Sequence, residues 1–180
     1  MRVVVVVALA LVAAVCGGCS ARHPSGARAG LDVGTQIFPV ARREPAPDLH
    51  GTTITGDPFD LSEVLGHGPV AVNVWASWCG PCRHEMPLLA HVPDGSLRVV
   101  GIDERDSSAS ARSFAGSRGV HYPNLADPDG QLLARLRMLP QSGVPSTIFL
   151  DRQGRVAARV IGPMDHRVLS QILRHLGAPS

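Results

Sequence analysis

The chain has no lysine: all 17 of its basic residues are arginine. That excludes a Walker-type phosphate loop, which needs a Lys behind its glycines, and it excludes a lysine nucleophile. Charge of one sign is scarce too. Against the arginines stand 15 acids, for a net charge of +2. The balance leaves no electrostatic footprint for a nucleic-acid partner. The apolar run inside residues 1–15 falls short of the ~20 residues that a confident membrane span needs. Cysteine is sparse, with four residues in all. Cys16 and Cys19 lie in an N-terminal segment outside the expected domain, and no H-x-x-x-H occurs. A structural zinc site around the other two would therefore lack its second ligand pair. Asp127 and Asp129 lack the further ligands of a calcium loop and read as turn residues. No metal and no cofactor is expected.

What is present is a chain of 180 residues, 44% of them hydrophobic. One globular domain with a short appendage is the natural reading, long enough to bury a sizeable core. Its organising stretch is Trp75-Ala76-Ser77-Trp78-Cys79-Gly80-Pro81-Cys82. An apolar strand pattern, residues 70–75, runs into it, and a helical pattern runs out, so two thiols sit where a strand hands over to a helix. Unpaired N–H groups and the positive end of the helix dipole favour a thiolate there. Only the thiolate attacks disulfides. Cys79, nearest the helix start, is the expected exposed nucleophile, and Cys82, one turn in, the more buried resolving thiol. A purely structural disulfide is the poorer reading for a Cys at a helix start.

Trp78-Cys79-Gly80-Pro81-Cys82, with Glu85 and Pro87 behind it, resembles the thioredoxin superfamily. More closely it is similar to the membrane-tethered TlpA/ResA group of bacterial thiol-disulfide oxidoreductases. The resemblance runs from about residue 47 to 177. It implies a thioredoxin fold with an N-terminal β-hairpin and a central insertion, where patterning alone reaches only α/β.

In chain order, Arg2 and the aliphatic run to Val15 read as an export signal. Gly17-Gly18-Cys19 resembles a lipobox, with Cys19 as the lipidated residue, although Cys16 stands where that pattern prefers an aliphatic residue. Ordinary cleavage and an uncleaved anchor are the alternatives. The expected division is a leader at 1–19, a flexible tether at 20–46 and the thioredoxin-like domain at 47–178. Within the tether, residues 31–33 and 36–38 offer a weak strand, and Arg42-Arg43 reads as solvated. Residues 49–54 and 59–61 form a hairpin. The first helix is expected from near Cys79 to about His91, kinked at Pro87. A strand follows at 97–102, a helix at 107–118, an extended piece at 121–125 and a helix at 131–139. Residues 146–151 and 155–161 pair as a hairpin, and Asp165 caps the last helix.

Glu85 lies one helical turn beyond Cys82. Thioredoxin-like proteins often place a buried Asp on the central strand to exchange the resolving thiol's proton. That position is Asn73 here, which cannot do so, and the resemblance implies Glu85 as the acid–base residue. It also implies that Pro145, after Val144, is cis and faces the thiols, with Val144 offering its main chain to a substrate. Trp78, Gly80 and Pro81 complete the expected substrate surface. His84, His91 and His121 carry no ligand spacing.

The leading reading is an extracytoplasmic thiol-disulfide oxidoreductase, lipid-anchored to the cell membrane or secreted, and monomeric. Its partners would be protein thiols and disulfides. By resemblance these include an apocytochrome c before haem attachment, with electrons relayed by a membrane protein. The Gly-Pro dipeptide tilts the direction toward reduction. An oxidase for exported proteins is the runner-up. A copper-binding chaperone is a separate class, disfavoured by the missing third ligand. A thiol peroxidase would want a T-x-x-C arrangement that is absent.

Overall fold

Six consecutive buried residues, Val70–Trp75, make the central strand of a mixed sheet. The structure, a computed structural model, describes residues 34–177. Its strands are β1 (Thr35–Ile37), β2 (His50–Thr52), β3 (Pro58–Asp60), β4 (Val70–Trp75), β5 (Arg98–Glu104), β6 (Asn124–Asp127), β7 (Ser146–Leu150) and β8 (Val156–Ile161). Its helices are α1 (Cys82–Ala90), α2 (Ser108–Ser117), α3 (Gln131–Arg135) and α4 (His166–Leu176). The main sheet has the order β1-β8-β7-β4-β5-β6, and β2-β3 form a separate hairpin. β4 runs parallel to β5 and antiparallel to β7. The fold class is the one the resemblance implied, with β6 and α3 filling the interval between α2 and β7.

Alternation along β4 divides the core. Val70, Val72 and Val74 pack with Leu49, Leu61 and the α3 leucines. Ala71 points the other way, to Leu89 of α1 and to Val168, Leu169 and Ile172 of α4. Trp75 faces a third cluster that holds both cysteines, Met86 and Phe114. Burying each large aliphatic side chain is worth about 1.5–3 kcal/mol before its ordering cost. α4 begins as expected: the Asp165 carboxylate accepts from Val168 N at 2.8 Å. It ends at Gly177, whose φ of 67° makes a left-handed cap.

Four expectations need correction. The tether does not extend to residue 46, because Thr35–Ile37 pairs with β8, Ile37 opposite Ala158. Arg43 is not solvated: its side chain, 8% exposed, bonds Asp151 at 3.0 Å, and Pro45 bridges Arg155. The fold thus begins some twelve residues before 47, because Ile37 and Phe38 have apolar faces to pack against. α3 stops at Arg135 rather than Leu139, because Leu136 leaves the helix with a ψ of 63°. β5 continues two residues past Ile102, through Asp103 and Glu104, both buried. The leader, Cys19 and residues 31–33 lie outside the described residues. Among those described, no helix is long and apolar enough to cross a membrane.

Candidate functional site

β4 delivers the chain to a tight loop over residues 76–81, where Cys79 N–H donates to the Ala76 carbonyl at 3.1 Å. Helix α1 starts at Cys82, three residues later than expected, with Pro81 at its N-cap. Proline suits this place, since an amide there would have no helical partner. Cys79 and Cys82 are joined as a disulfide with Cα atoms 5.4 Å apart. The Cys82 amide, in the first turn of α1, donates to Cys79 Sγ at 3.2 Å. Such a donor favours negative charge on Cys79 once the bond opens.

Cys79 is less exposed than expected. It is 4% exposed and Cys82 0%, while Trp78 beside them is 58% exposed. Their relative order agrees with the sequence; the depth of Cys79 comes from the walls around it. Gly80 and Pro81 are exposed. The Val144–Pro145 peptide bond is cis, as the resemblance implied. Val144 packs against the cluster that contains both cysteines. Pro145 itself is buried, and its carbonyl accepts from Gly162 N at 3.0 Å.

Glu85 is 1% exposed and sits in a cradle of donors. Asn73 Nδ2 reaches its Oε1 at 2.7 Å, Thr147 Oγ1 donates to the same oxygen at 3.3 Å, and Met164 N donates to Oε2 at 2.8 Å. Asn73 Nδ2 also donates to Thr147 Oγ1 at 2.9 Å, its cross-strand neighbour. Burial raises the Glu85 carboxyl to about 7, and these three hydrogen bonds hold it from going further. A carboxylic acid that titrates near neutrality, one helical turn from a thiol pair, can exchange a proton with it.

Sequence reasoning identified Asn73 and Glu85 but not their other partners. Thr147 and the Met164 amide carry no local signal, since they arrive from 62 and 79 residues away. It also missed a second acidic group, Asp103, Glu104 and Asp127, buried at the ends of β5 and β6. The visible cue was the pair of acids continuing an apolar strand. The loop after β5 supports the thiol loop as well: Asp106 Oδ2 accepts from Ser77 N at 2.7 Å. Trp75 is held by Asn124 at 2.8 Å. Gly101 makes room for that bond, because a Cβ there would come within 2.7 Å of the indole nitrogen. His84, His91 and His121 are exposed. Among the described residues no cluster of three or more His, Cys, Asp or Glu is placed to hold a metal.

Comparison with known proteins gives a consistent picture. The AhpC/TSA family matches residues 43–159. The thiol:disulfide interchange protein HelX of Rhodobacter capsulatus is 34% identical over 63% of this chain, and the match spans 64% of HelX, just under two thirds. The thiol-disulfide oxidoreductase ResA of Bacillus subtilis is 28% identical over 72% of this chain and 73% of its own. Among solved structures, a secreted thiol-disulfide isomerase from Corynebacterium glutamicum superposes with a TM-score of 0.73 at 29% identity. That match covers 86% of this chain and 94% of the other.

Proposed function

The chain belongs to the AhpC/TSA family and is a thiol-disulfide oxidoreductase, and from that premise we propose that it reduces protein disulfides outside the cytoplasm through Cys79 and Cys82. The observation that carries the reading is the Cys79–Cys82 disulfide at the start of α1, with buried Glu85 one turn on.

In the reduced enzyme the Cys79 thiolate attacks one sulfur of a substrate disulfide. A mixed disulfide forms, and the other substrate sulfur leaves as a thiolate that takes a proton from water. Cys82 then attacks Cys79, the mixed bond breaks, and the second substrate thiolate leaves. Two electrons pass to the substrate and the enzyme keeps the disulfide. Glu85 takes the proton that Cys82 gives up as it becomes a nucleophile. Trp78, Gly80, Pro81 and Val144 form the surface on which the substrate chain lies, with buried Pro145 setting the turn behind it. Oxidised enzyme must be reduced again, and a membrane electron-relay protein is the partner that this cycle calls for. An apocytochrome c cysteine pair is the proposed substrate, on the resemblance to the TlpA/ResA group. Residues 1–19 are the proposed leader and Cys19 the lipid site. The tether is then confined to residues before Thr35. The secreted relative's name supports the location.

Cys82→Ser is expected to accumulate a mixed disulfide between Cys79 and a protein substrate, visible on a non-reducing gel. Absence of that adduct would count against the order of attack. A reduction potential near about −270 mV supports the reductant, and one near about −120 mV would reverse the direction.

A further inference from the structure

One residue outside the thiols and Glu85 ties together the two loops that flank the disulfide. Arg105, the first residue after β5, has a φ of 49° and is the one described non-glycine residue in the left-handed region. There Cβ crowds the next carbonyl oxygen, and most side chains avoid it. Such backbones persist where the surroundings over-determine them, and they gather at functional sites.

The contacts of Arg105 do over-determine it. Its N–H donates to the Asp127 carbonyl at 3.0 Å. Its carbonyl accepts from Trp78 Nε1 at 3.4 Å. Its Nη1 lies 2.7 Å from Glu104 Oε1 and donates to the Gln141 carbonyl at 3.4 Å. The guanidinium rests over Gly130, where a Cβ would come within 2.9 Å of Nη2. Trp78 immediately precedes Cys79, and Gln141 lies four residues before Pro145. The backbone of Arg105 therefore holds the loop that carries the first thiol. Its side chain holds the loop that leads to the cis proline. That side chain remains 53% exposed, beside the exposed Trp78 indole.

We propose that Arg105 is a positioning residue for protein substrates, holding the Trp78 and Gln141 loops at the spacing a substrate chain needs to lie between them. The inference rests on the oxidoreductase reading above. A protein disulfide presents a chain that must touch both loops, whereas a small aromatic disulfide needs only to reach Cys79. Losing the guanidinium then weakens recognition of the first and not chemistry on the second.

Arg105→Gly separates these effects. Glycine takes the left-handed backbone without strain, so the turn and its carbonyl survive. Glu104, left without its cation, has its carboxyl pushed further above the ordinary value by burial. For insulin as the protein disulfide, KM is expected to rise on the order of tenfold, the loss typical of a charge-assisted hydrogen bond. Its kcat should stay within about twofold, as should the rate with the uncharged aromatic disulfide 2,2′-dithiodipyridine, since uniform binding alone is removed. Arg105→Ala, which keeps the Cβ, should give the same KM shift. An unchanged KM in Arg105→Gly overturns the inference and leaves the oxidoreductase reading intact. So does a parallel fall in the small-disulfide rate, or a shift confined to the Ala variant, which would trace the effect to backbone strain. If the wild-type enzyme turned over neither disulfide, the functional reading would fail first and the inference with it.

Discussion

Two buried acidic sites lie in the domain that carries the thiol pair, and they are built on opposite plans. Glu85 is a single carboxyl surrounded by donors from three elements, the Asn73 amide, the Thr147 hydroxyl and the Met164 N–H. Asp103 is a carboxyl among carboxyls, with Glu104, Asp106 and Asp127 close enough to oppose its charge. Its Oδ1 has no hydrogen-bond partner among the described residues. Burial raises both groups. For Glu85 the donors pull the other way and leave it at about 7. For Asp103 the neighbouring acids add to burial, and it stands at about 8. A donor cradle poises an acid to change state near neutrality; like-charge crowding holds it protonated there. The donors that converge on Glu85, one helical turn from Cys82, point to it as the group that works during turnover, whereas Asp103 is largely neutral at pH 7.

Glu85→Gln tests the comparison hardest. Losing a general base from the resolving step should lower the rate of protein disulfide reduction about a hundredfold. It should also remove the inflection near pH 7 from the pH–rate profile. An inflection that persisted would assign it to another group. Stability should move the opposite way. The folded carboxyl titrates above its ordinary value, so wild-type protein is favoured at low pH and loses stability as pH rises from about 4.5 through 7. The loss is roughly 3 kcal/mol by the shift itself. Gln cannot ionise, so the variant should melt at the wild-type temperature or below it at pH 4 and above it at pH 8. The gain is reduced by one amide N–H turned toward the donors. Lower activity with higher stability is the mark of a group kept for its chemistry.

The two sites also differ in how well the sequence announces them. Cys79, Cys82, Glu85 and Asn73 fall within thirteen residues, on one strand, the loop after it and the helix behind, so spacing alone brings them together. The same holds for the Asp165 cap and the β7-β8 hairpin, which are local. Thr147 and Met164 meet Glu85 only because β7 lies antiparallel to β4 and the chain returns past β8. β1 was readable as a weak strand. Its pairing with β8, more than a hundred residues on, is not visible in the sequence, and that pairing is what carries Arg43 to Asp151. Asp103 and Glu104 were lost to their own chemistry: acids are poor strand formers, and the apolar pattern of β5 ends at Ile102. Arg105 gave no sign at all, because a left-handed backbone at an arginine is set by its contacts and not by its residue type.

Asp103→Asn probes the crowded site. It takes one ionisable member out of the cluster and leaves the shape. Wild-type Asp103 contributes stability that is present at low pH and lost as pH rises through about 8. The variant should therefore be more stable than wild type at pH 9, by roughly 1 kcal/mol or more, and no more stable than wild type at pH 4. Its rate of disulfide reduction at pH 7 should remain within about threefold, because a group already neutral there has no charge to lose. A large fall in rate, with the thermal melt unchanged, would place Asp103 in the proton path and dissolve the contrast with Glu85.

Thr147→Val is the gentlest of the three and tests the donor cradle itself. Valine has nearly the shape of threonine without the hydroxyl. Glu85 loses its longest hydrogen bond, at 3.3 Å, and Asn73 loses one of its two acceptors. A donor to the carboxylate lowers its pKa, so removing one must raise it. The inflection in the pH–rate profile should move upward from about 7 by less than about one unit. Activity at pH 8.5, where Glu85 is largely ionised in both proteins, should barely change. A downward shift would mean that the hydroxyl turns its lone pair and not its proton to Glu85. The carboxyl would then be held near neutrality by Asn73 and Met164 alone.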